Sequence, residues 1–156
     1  MNKYLRKTDY DDVYFLAPRL RQADYDECLA ATGREPLGVL LDGLKLGDQT
    51  YTMVAPTGVP VGMLGVAKSI IPDAGVIWLC ATPDIEKYQM TFLRHSKAVL
   101  KHLQQDYLAL HNCVDARNDL HIKWLKWMGF TFITKHERWG VQQRPFHEFV
   151  RIKQDV

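Results

Sequence analysis

Hydrophobic residues recur at helical spacing through the first third of the chain, which predicts two or three helices after a short first strand. Thr8 or Asp9 is expected to cap the first helix, and Pro18 interrupts it. Gly33 is expected to end the second helix, while the pattern after it is ambiguous. The predicted segments are a strand at residues 4–8, the helix broken at Pro18, a helix at 22–32 and a third short helix at 36–46.

The middle of the chain changes to alternating apolar and polar residues punctuated by Gly and Pro, which predicts strands joined by turns. The last of these strands, at residues 76–81, is apolar almost throughout, as is typical of a strand buried on both faces. We therefore expect it in the centre of the sheet. The three predicted strands are residues 50–55, 61–67 and 76–81.

Two amphipathic helices are predicted in the second half of the chain. The longer one opens at Pro83 and ends near Asp106, and the other runs from Asn118 to a stop at Gly129. Strands are predicted around the second helix, at residues 108–114, 130–134 and 144–152. This order of elements predicts one mixed α/β domain over residues 1–156, with a mostly antiparallel sheet.

Composition is that of an ordinary soluble globular protein, with 47% hydrophobic and 24% charged residues. A chain of 156 residues is long enough for a single domain with its own core. A net charge of only +2 and the lack of a basic run argue against a nucleic-acid partner. No stretch has the length of a membrane span, and the first residues lack the apolar core of a signal peptide. We therefore expect the protein to stay in the cytoplasm or to enter an assembly there.

The cysteines and histidines give no sign of a metal site. Cys28, Cys80 and Cys113 are odd in number and far apart, which argues against both a disulfide framework and zinc. Cys80 and Cys113 lie in apolar runs, where a free cysteine behaves as a small buried hydrophobe. His95 and His102 share a predicted helix face, but two histidines alone make a poor site. The sequence therefore predicts no metal.

Asn118 and the pair Gly129 and Phe130 carry a resemblance to the GNAT fold, that of the GCN5-related N-acetyltransferases. GNAT sequences often have an Asn, a small residue three positions later, a Tyr seven positions after the Asn, and Gly-Phe after four more. The Asn and Gly-Phe match, whereas His121 and Leu125 occupy the two positions between them. The order of elements resembles this fold over most of the chain. It implies an α/β, GNAT-like acyl-CoA N-acyltransferase fold, with a central sheet flanked by helices.

Several runs between Trp78 and Phe149 resemble, more narrowly, a family of small tailed-phage proteins with a GNAT-like fold, related to the internal virion protein A of T7-like podoviruses. The runs are residues 78–83, 92–96, 114–118, 123–130 and 145–149. The resemblance implies a phage-encoded protein of virion assembly or of the internal, ejection-associated machinery. It also implies a phage or host protein partner and a place in the host cytoplasm, with packaging into the virion as a further expectation.

The GNAT resemblance also implies acetyl-CoA, whose diphosphate these enzymes bind with a glycine-containing loop before the long helix. Glycines let backbone N–H groups approach the phosphates next to the positive end of the helix dipole. The corresponding segment here, residues 84–96, has no glycine and carries Asp84 and Glu86. The contacts implied for a bound acetyl-CoA are backbone groups of Leu79, Cys80 and Ala81 for the pantetheine arm, side chains of Lys87, Arg94 and Ser96 for phosphate, and the amide of Asn118. The alternative is that Lys87 and Arg94 are ordinary surface charges and that Asn118 simply caps its helix.

The proton donor for the leaving thiolate is also missing from its usual place. Leu125 stands where GNAT enzymes often have a Tyr, and leucine cannot donate a proton. Tyr88, Tyr107 and His121 are the possible substitutes, although Tyr107 fits a core aromatic and His121 fits a packed residue. Because some GNAT enzymes need no general acid, this loss weakens catalysis without excluding it.

Two hypotheses about function follow. The absent glycines favour a phage protein that keeps the acetyltransferase fold as a scaffold for protein contacts, with reduced or absent catalysis. The alternative is an active acyl-CoA-dependent N-acetyltransferase acting on a protein or small-molecule amine, and only then is the chain an enzyme.

Trp124 and Trp127, with Lys123 and Lys126 beside them, fit a protein-binding surface and a wide buried stripe equally well.

Overall fold

The structure, a computed structural model, describes residues 3–154, which form a seven-stranded sheet flanked by five α-helices. The strands are β1 (Leu5–Lys7), β2 (Gln49–Val54), β3 (Pro60–Lys68), β4 (Ala74–Ala81), β5 (Ala109–Asp115), β6 (Thr131–Trp139) and β7 (Arg144–Ile152). The α-helices are α1 (Tyr10–Leu16), α2 (Gln22–Thr32), α3 (Pro36–Leu46), α4 (Gln89–Leu103) and α5 (Asp119–Trp127). Short 3₁₀ helices, Ala17–Arg19 and Pro83–Tyr88, precede α2 and α4.

The sheet has the strand order β1-β2-β3-β4-β5-β7-β6. Every neighbouring pair is antiparallel except β4 and β5, which run parallel and are connected through α4. The mixed, mostly antiparallel sheet predicted from the sequence is confirmed. So is the central position of residues 76–81, because β4 is the fourth strand of seven.

Asp12 ties the first helix to the edge of the sheet. A capping box opens α1, because the carboxylates of Asp9 and Asp12 each accept from the other's N–H at 3.0 Å. The Asp12 carboxylate also accepts from Arg6 at 2.6 Å and from the Thr52 hydroxyl at 2.8 Å. Of the two predicted caps, Asp9 is therefore the one that opens the helix.

Helices cover both faces of the sheet with apolar side chains. On the face of α4 and α5 lies the larger cluster, which includes Leu100, Leu110 and Trp124. On the face of α1 and α3, Leu16 packs with Met63 in a smaller cluster. Within residues 3–154, no helix has the length and the apolar character that crossing a membrane requires.

Some boundaries differ from the sequence prediction. The long helix begins later than expected, because Pro83–Tyr88 forms a 3₁₀ helix and α4 starts only at Gln89. A proline that opens a turn suits this place, since it lacks the N–H that would have no partner there. β6 extends beyond the predicted residues 130–134 and continues to Trp139. The ambiguous segment 36–46 forms α3.

Candidate functional site

β4 and β5 pair only over their first residues and then separate. The parallel register ends at the pair Val76 and His111. At the next position the side chain of Asn112 lies between the strands. Its Nδ2 donates to the carbonyl of Ile77 at 2.8 Å, and its Oδ1 accepts from the N–H of Cys113 at 2.7 Å. The amide replaces a direct hydrogen bond between the strands, and a gap opens beyond it.

Helix α2 closes the far end of this gap. The Asp24 carboxylate accepts from the N–H of Ala81 at 2.8 Å, and the carbonyl of Ala81 accepts from the N–H of Arg21 at 2.8 Å. On the opposite strand, Glu27 accepts from the N–H of Asp115 at 2.7 Å. Arg21, Asp24 and Glu27 stand three positions apart, so they share one face of the helix. This face bridges the separated ends of β4 and β5.

Between these two ends, Leu79 keeps its backbone groups unpaired. In an antiparallel ladder, alternate residues turn both N–H and C=O toward the same side of the strand. Ala81 turns both groups away from β3 and toward the gap, so Leu79 does the same. Neither group of Leu79 pairs with any group in residues 3–154. The edge of β4 thus offers one donor and one acceptor to a ligand.

A largely apolar cavity of about 380 Å³ passes through the gap. Leu100 and Trp124 line it on the side of α4 and α5, and Leu40 and Trp78 line it on the side of α2 and α3. Small-molecule sites have volumes of roughly 300–1,000 Å³, so this cavity lies at the lower end of that range.

A buried polar network stands at the closed end of the gap. Asn118 Nδ2 donates to Asp24 Oδ1 at 2.9 Å, and Asn118 Oδ1 accepts from Arg21 at 3.3 Å. These charged partners fix the orientation of the amide, because a carboxylate only accepts and a guanidinium only donates. Asn118 Nδ2 also lies 3.2 Å from Nδ1 of His121. His121 Nδ1 therefore accepts, and the proton of the neutral ring is on Nε2.

The Nε2–H group of His121 is a buried donor without an acceptor. The residue is only 5% exposed, and Nε2 has no hydrogen-bond partner in the described part of the chain. Asp24 Oδ1 lies 3.4 Å away but outside hydrogen-bonding geometry, and it already accepts from Arg21 and Asn118. Burial lowers the pKa of the ring, against the charge of Asp24, so the ring is neutral near pH 7. A buried donor without an acceptor costs about 1–3 kcal/mol, and a ligand in the cavity would relieve that cost.

Glu27 is a second titratable group on the cavity wall, and it is absent from the residues predicted from the sequence. Burial raises the pKa of its carboxyl to about 8; the N–H of Asp115 opposes this shift, and the charges of Asp24 and Asp115 add to it. Glu27 is therefore mostly protonated at neutral pH and ionises just above it. Its signal in the sequence is the three-residue spacing from Asp24, which places two acids on a helix face that packs on the sheet.

The predicted pantetheine contacts meet the gap in different ways. Leu79 turns its backbone groups into it, whereas both groups of Ala81 already pair with α2. The backbone of Cys80 pairs with Met63 of β3, and its side chain lines the cavity, where burial raises the pKa of the thiol well above its ordinary value. The predicted capping bond of Asn118 is wrong, because its side chain accepts from no backbone N–H of the first turn of α5 and bonds instead to Asp24 and Arg21.

The predicted phosphate contacts do not assemble at the start of α4. Lys87 pairs with Asp84 at 3.4 Å on the surface, and Arg94 is exposed. Ser96 is buried, and its hydroxyl donates to the carbonyl of Leu93 at 2.8 Å, so its hydrogen is already used. In the described chain, this region has neither a glycine-containing backbone nor a cluster of cations for a diphosphate. The gap therefore offers unpaired backbone groups to a ligand, whereas the start of α4 offers neither glycine backbone nor clustered cations to the diphosphate of acetyl-CoA.

Of the three predicted substitutes for the missing tyrosine, His121 is the one that lines the cavity. Tyr88 packs against the larger apolar cluster beside a separate small pocket. Tyr107 is buried, and its hydroxyl donates to Asp48. Leu125 lines the cavity at the position where GNAT enzymes often have the tyrosine.

Comparison with solved structures identifies the fold. Three solved structures superimpose on nearly the whole chain. An acetyltransferase of the GNAT family from Bacillus anthracis has 11% identity and a TM-score of 0.69, with 97% of this chain and 96% of that chain covered. Ard1 from Thermoplasma volcanium has 16% identity and a TM-score of 0.71, with 97% of each chain covered, and the aminoglycoside acetyltransferase AAC(6′)-Ib in complex with coenzyme A has 15% identity and a TM-score of 0.70, with 97% and 95% covered. No family model matches the sequence, and no curated protein matches it. The protein has the GNAT fold, as its sequence predicts. At these identities the likeness establishes the fold alone.

Proposed function

We propose that the protein is an N-acyltransferase that transfers an acetyl or another small acyl group from a pantetheine thioester to an amine. The observation that carries this proposal is the gap: the strands part at Asn112, a cavity passes between them, and Leu79 turns an unpaired N–H and C=O into it. The acetyltransferase structures that share the fold support a thioester donor, and one of them is a coenzyme A complex. The thioester supplies an activated carbonyl and a thiolate leaving group.

Leu79 is the residue that we assign to the donor. Its backbone N–H and C=O suit the amide groups of a pantetheine arm, which would pair with β4 in the manner of an added strand. Apolar side chains such as Leu100 and Trp124 keep water from this edge, and a dry environment strengthens each hydrogen bond. The start of α4 has no role in this assignment.

Glu27 is the residue that we assign to the amine. An amine arrives as an ammonium ion and must lose a proton before it attacks the acyl carbon. A carboxyl whose pKa is about 8 suits this step, because it is a stronger base than an ordinary glutamate and still ionises near neutral pH. Glu27 lines the cavity from α2, so the amine would enter on the face opposite α4 and α5.

His121 is the residue that we assign to the carbonyl oxygen, where negative charge develops during attack. Its ring is neutral, so Nε2–H is a hydrogen-bond donor and a poor proton donor. Asn118 fixes this proton on Nε2 by occupying Nδ1. This assignment changes the role of His121 from the general acid expected from the sequence to a stabiliser of the oxyanion. The thiolate then leaves without a proton donor from the protein and takes a proton from solvent, and solvent also accepts the second proton that the attacking nitrogen loses.

Thiol release tests the proposal. The purified protein is mixed with acetyl-CoA or acetyl-pantetheine and a panel of primary amines, and a thiol-reactive dye reports the free thiol. We expect release that requires both the amine and the protein and that falls in Glu27→Gln. If the wild-type protein neither binds a thioester nor releases thiol with any amine, the proposal is wrong.

A second candidate is the phage scaffold, which rests on the sequence resemblance and on the unsuitable start of α4. The exposed Trp127 favours it: the indole is 59% exposed, and Lys97 Nζ lies 5.8 Å from the ring centroid. An exposed tryptophan of this kind suits a protein partner, which in this hypothesis is a phage or host protein. In pull-down from infected cells, this hypothesis expects a virion protein that Trp127→Ala releases, together with no thioester binding.

A further inference from the structure

Three side chains that the proposed reaction does not use converge on one face of the sheet. Cys113 of β5, His136 of β6 and Glu148 of β7 hold their sulfur, ring nitrogen and carboxylate oxygen within 4.8 Å of one another. Cys113 stands directly opposite Glu148 in the register of the two strands. All three residues belong to neighbouring hydrogen-bonded strands, which hold side chains in place better than loops do.

The three groups are oriented toward one another and remain accessible. His136 Nε2 lies 2.8 Å from a carboxylate oxygen of Glu148, and these side chains are 31% and 32% exposed. Cys113 is half-buried and lines the cavity that passes through the gap. An ion from solvent can therefore reach the cluster, and a ligand in the cavity lies beside it.

A simple ion pair accounts for His136 and Glu148 but leaves the thiol of Cys113 without a role. A bound metal cation gives that thiol a role, because an ion deprotonates the thiol that coordinates it. The thiolate of Cys113 and the carboxylate of Glu148 would then be two anionic ligands of the same ion.

We propose that Cys113, His136 and Glu148 bind a divalent transition-metal ion of the zinc class. Thiolate and imidazole ligands select zinc over magnesium and calcium, which prefer oxygen ligands throughout. Three protein ligands leave a fourth position for water or for a group bound in the cavity. The sequence predicts no metal because these ligands lie on three separate strands and form no local motif.

Titration of metal-free protein with cobalt(II) tests this proposal, because a cobalt–thiolate bond gives a charge-transfer band in the near ultraviolet. The wild-type protein is expected to show the band at one ion per chain and to lose it when zinc is added. Cys113→Ser should abolish the band, and His136→Gln should weaken cobalt binding at least about tenfold. Cys28→Ser and Cys80→Ser should keep it, although both thiols line the same cavity.

A wild-type protein without the band, or a band that survives in Cys113→Ser, overturns the proposal. The proposal is also overturned if His136→Gln binds cobalt(II) with the same affinity as the wild-type protein. Urea unfolding of each metal-free variant separates a lost ligand from a lost fold. The readout needs no acyl transfer, so the outcome does not depend on the proposed function.

Discussion

Asn112 donates its side-chain amide to the carbonyl of Ile77 at 2.8 Å, where β4 and β5 part. The amide oxygen accepts from the N–H of Cys113, so the backbone groups at the base of the gap are satisfied. The gap is therefore built into the fold by a side chain of β5, and no ligand is needed to open it.

Replacement of this amide is expected to destabilise the fold. Asn112→Ala should lower the free energy of unfolding by about 1–3 kcal/mol, because a partly buried carbonyl and a partly buried N–H lose their partners. Urea unfolding measures the change, with Gln105→Ala at an exposed position as the control. If Asn112→Ala stays within about 0.5 kcal/mol of the wild type, as surface substitutions do, the strands pair without the amide.

The unpaired backbone of Leu79 can be tested without altering the sheet hydrogen bonds. Leu79→Pro removes an N–H that the ladder does not use, and proline is tolerated in a strand at such a position. We expect it to weaken acetyl-pantetheine binding about tenfold, the value of one good hydrogen bond. Leu79→Ala keeps the N–H and should bind within about threefold of the wild type. Equal affinities for both variants in calorimetry would show that the donor does not use this N–H.

The raised pKa of the Glu27 carboxyl predicts that activity increases with pH. Because its pKa is about 8, the carboxylate fraction grows as pH increases through that value, and the transfer rate should grow with it. Glu27→Gln should lower kcat by about 10²- to 10⁴-fold and remove the inflection of the rate near pH 8. Initial rates between pH 6 and about pH 9 test both effects, and a pH profile that Glu27→Gln leaves unchanged would contradict the assignment.

Stability gives an independent check on the same carboxyl. A pKa raised in the folded state means that the folded protein binds more protons than the unfolded chain between the ordinary carboxyl pKa and about 8. Stability should therefore fall as pH rises through this window. Gln cannot ionise, so Glu27→Gln should be more stable than the wild type above pH 8, which urea unfolding at two pH values measures.

His121 is expected to act on the carbonyl oxygen and not on the leaving sulfur. His121→Leu removes the Nε2–H donor and should lower kcat by about 10²- to 10³-fold. His121→Gln retains an amide donor, so its kcat should fall by a smaller factor. The fold decrease of kcat in His121→Leu should be the same for thioesters of weakly acidic thiols and for thioesters of strongly acidic thiols. A deficit that disappears with the more acidic thiol would instead identify His121 as a general acid.

The local patterns of the sequence predict most of the fold. Asp9 caps α1, and Gly129 ends α5 with a positive φ of 88°, because each depends on the residues next to it. Alternating apolar and polar residues, together with turn residues, likewise predict the strands in the middle of the chain. The nearly all-apolar segment 76–81 lies in the central strand of the sheet.

The site is less predictable because its contacts join distant parts of the chain. Asn118 looks like a helix cap from its neighbours, but its amide bonds to Asp24, 94 positions earlier. The gap depends on one side chain, Asn112, that no periodicity distinguishes from other polar strand residues. Glu27 is an ordinary helix acid in sequence, and only its burial in the folded protein raises the pKa of its carboxyl. The spacing of motifs thus predicts the helices and strands around the site but not the polar contacts between them.

Isothermal titration with acetyl-CoA and with acetyl-pantetheine, under the same buffer conditions, tests the central claim most directly. The gap at Leu79 is expected to hold the pantetheine arm, while the start of α4 adds nothing for the diphosphate. Both thioesters should therefore bind, with Kd values within about threefold of each other. Binding of neither thioester, or binding of acetyl-CoA alone, would contradict the account.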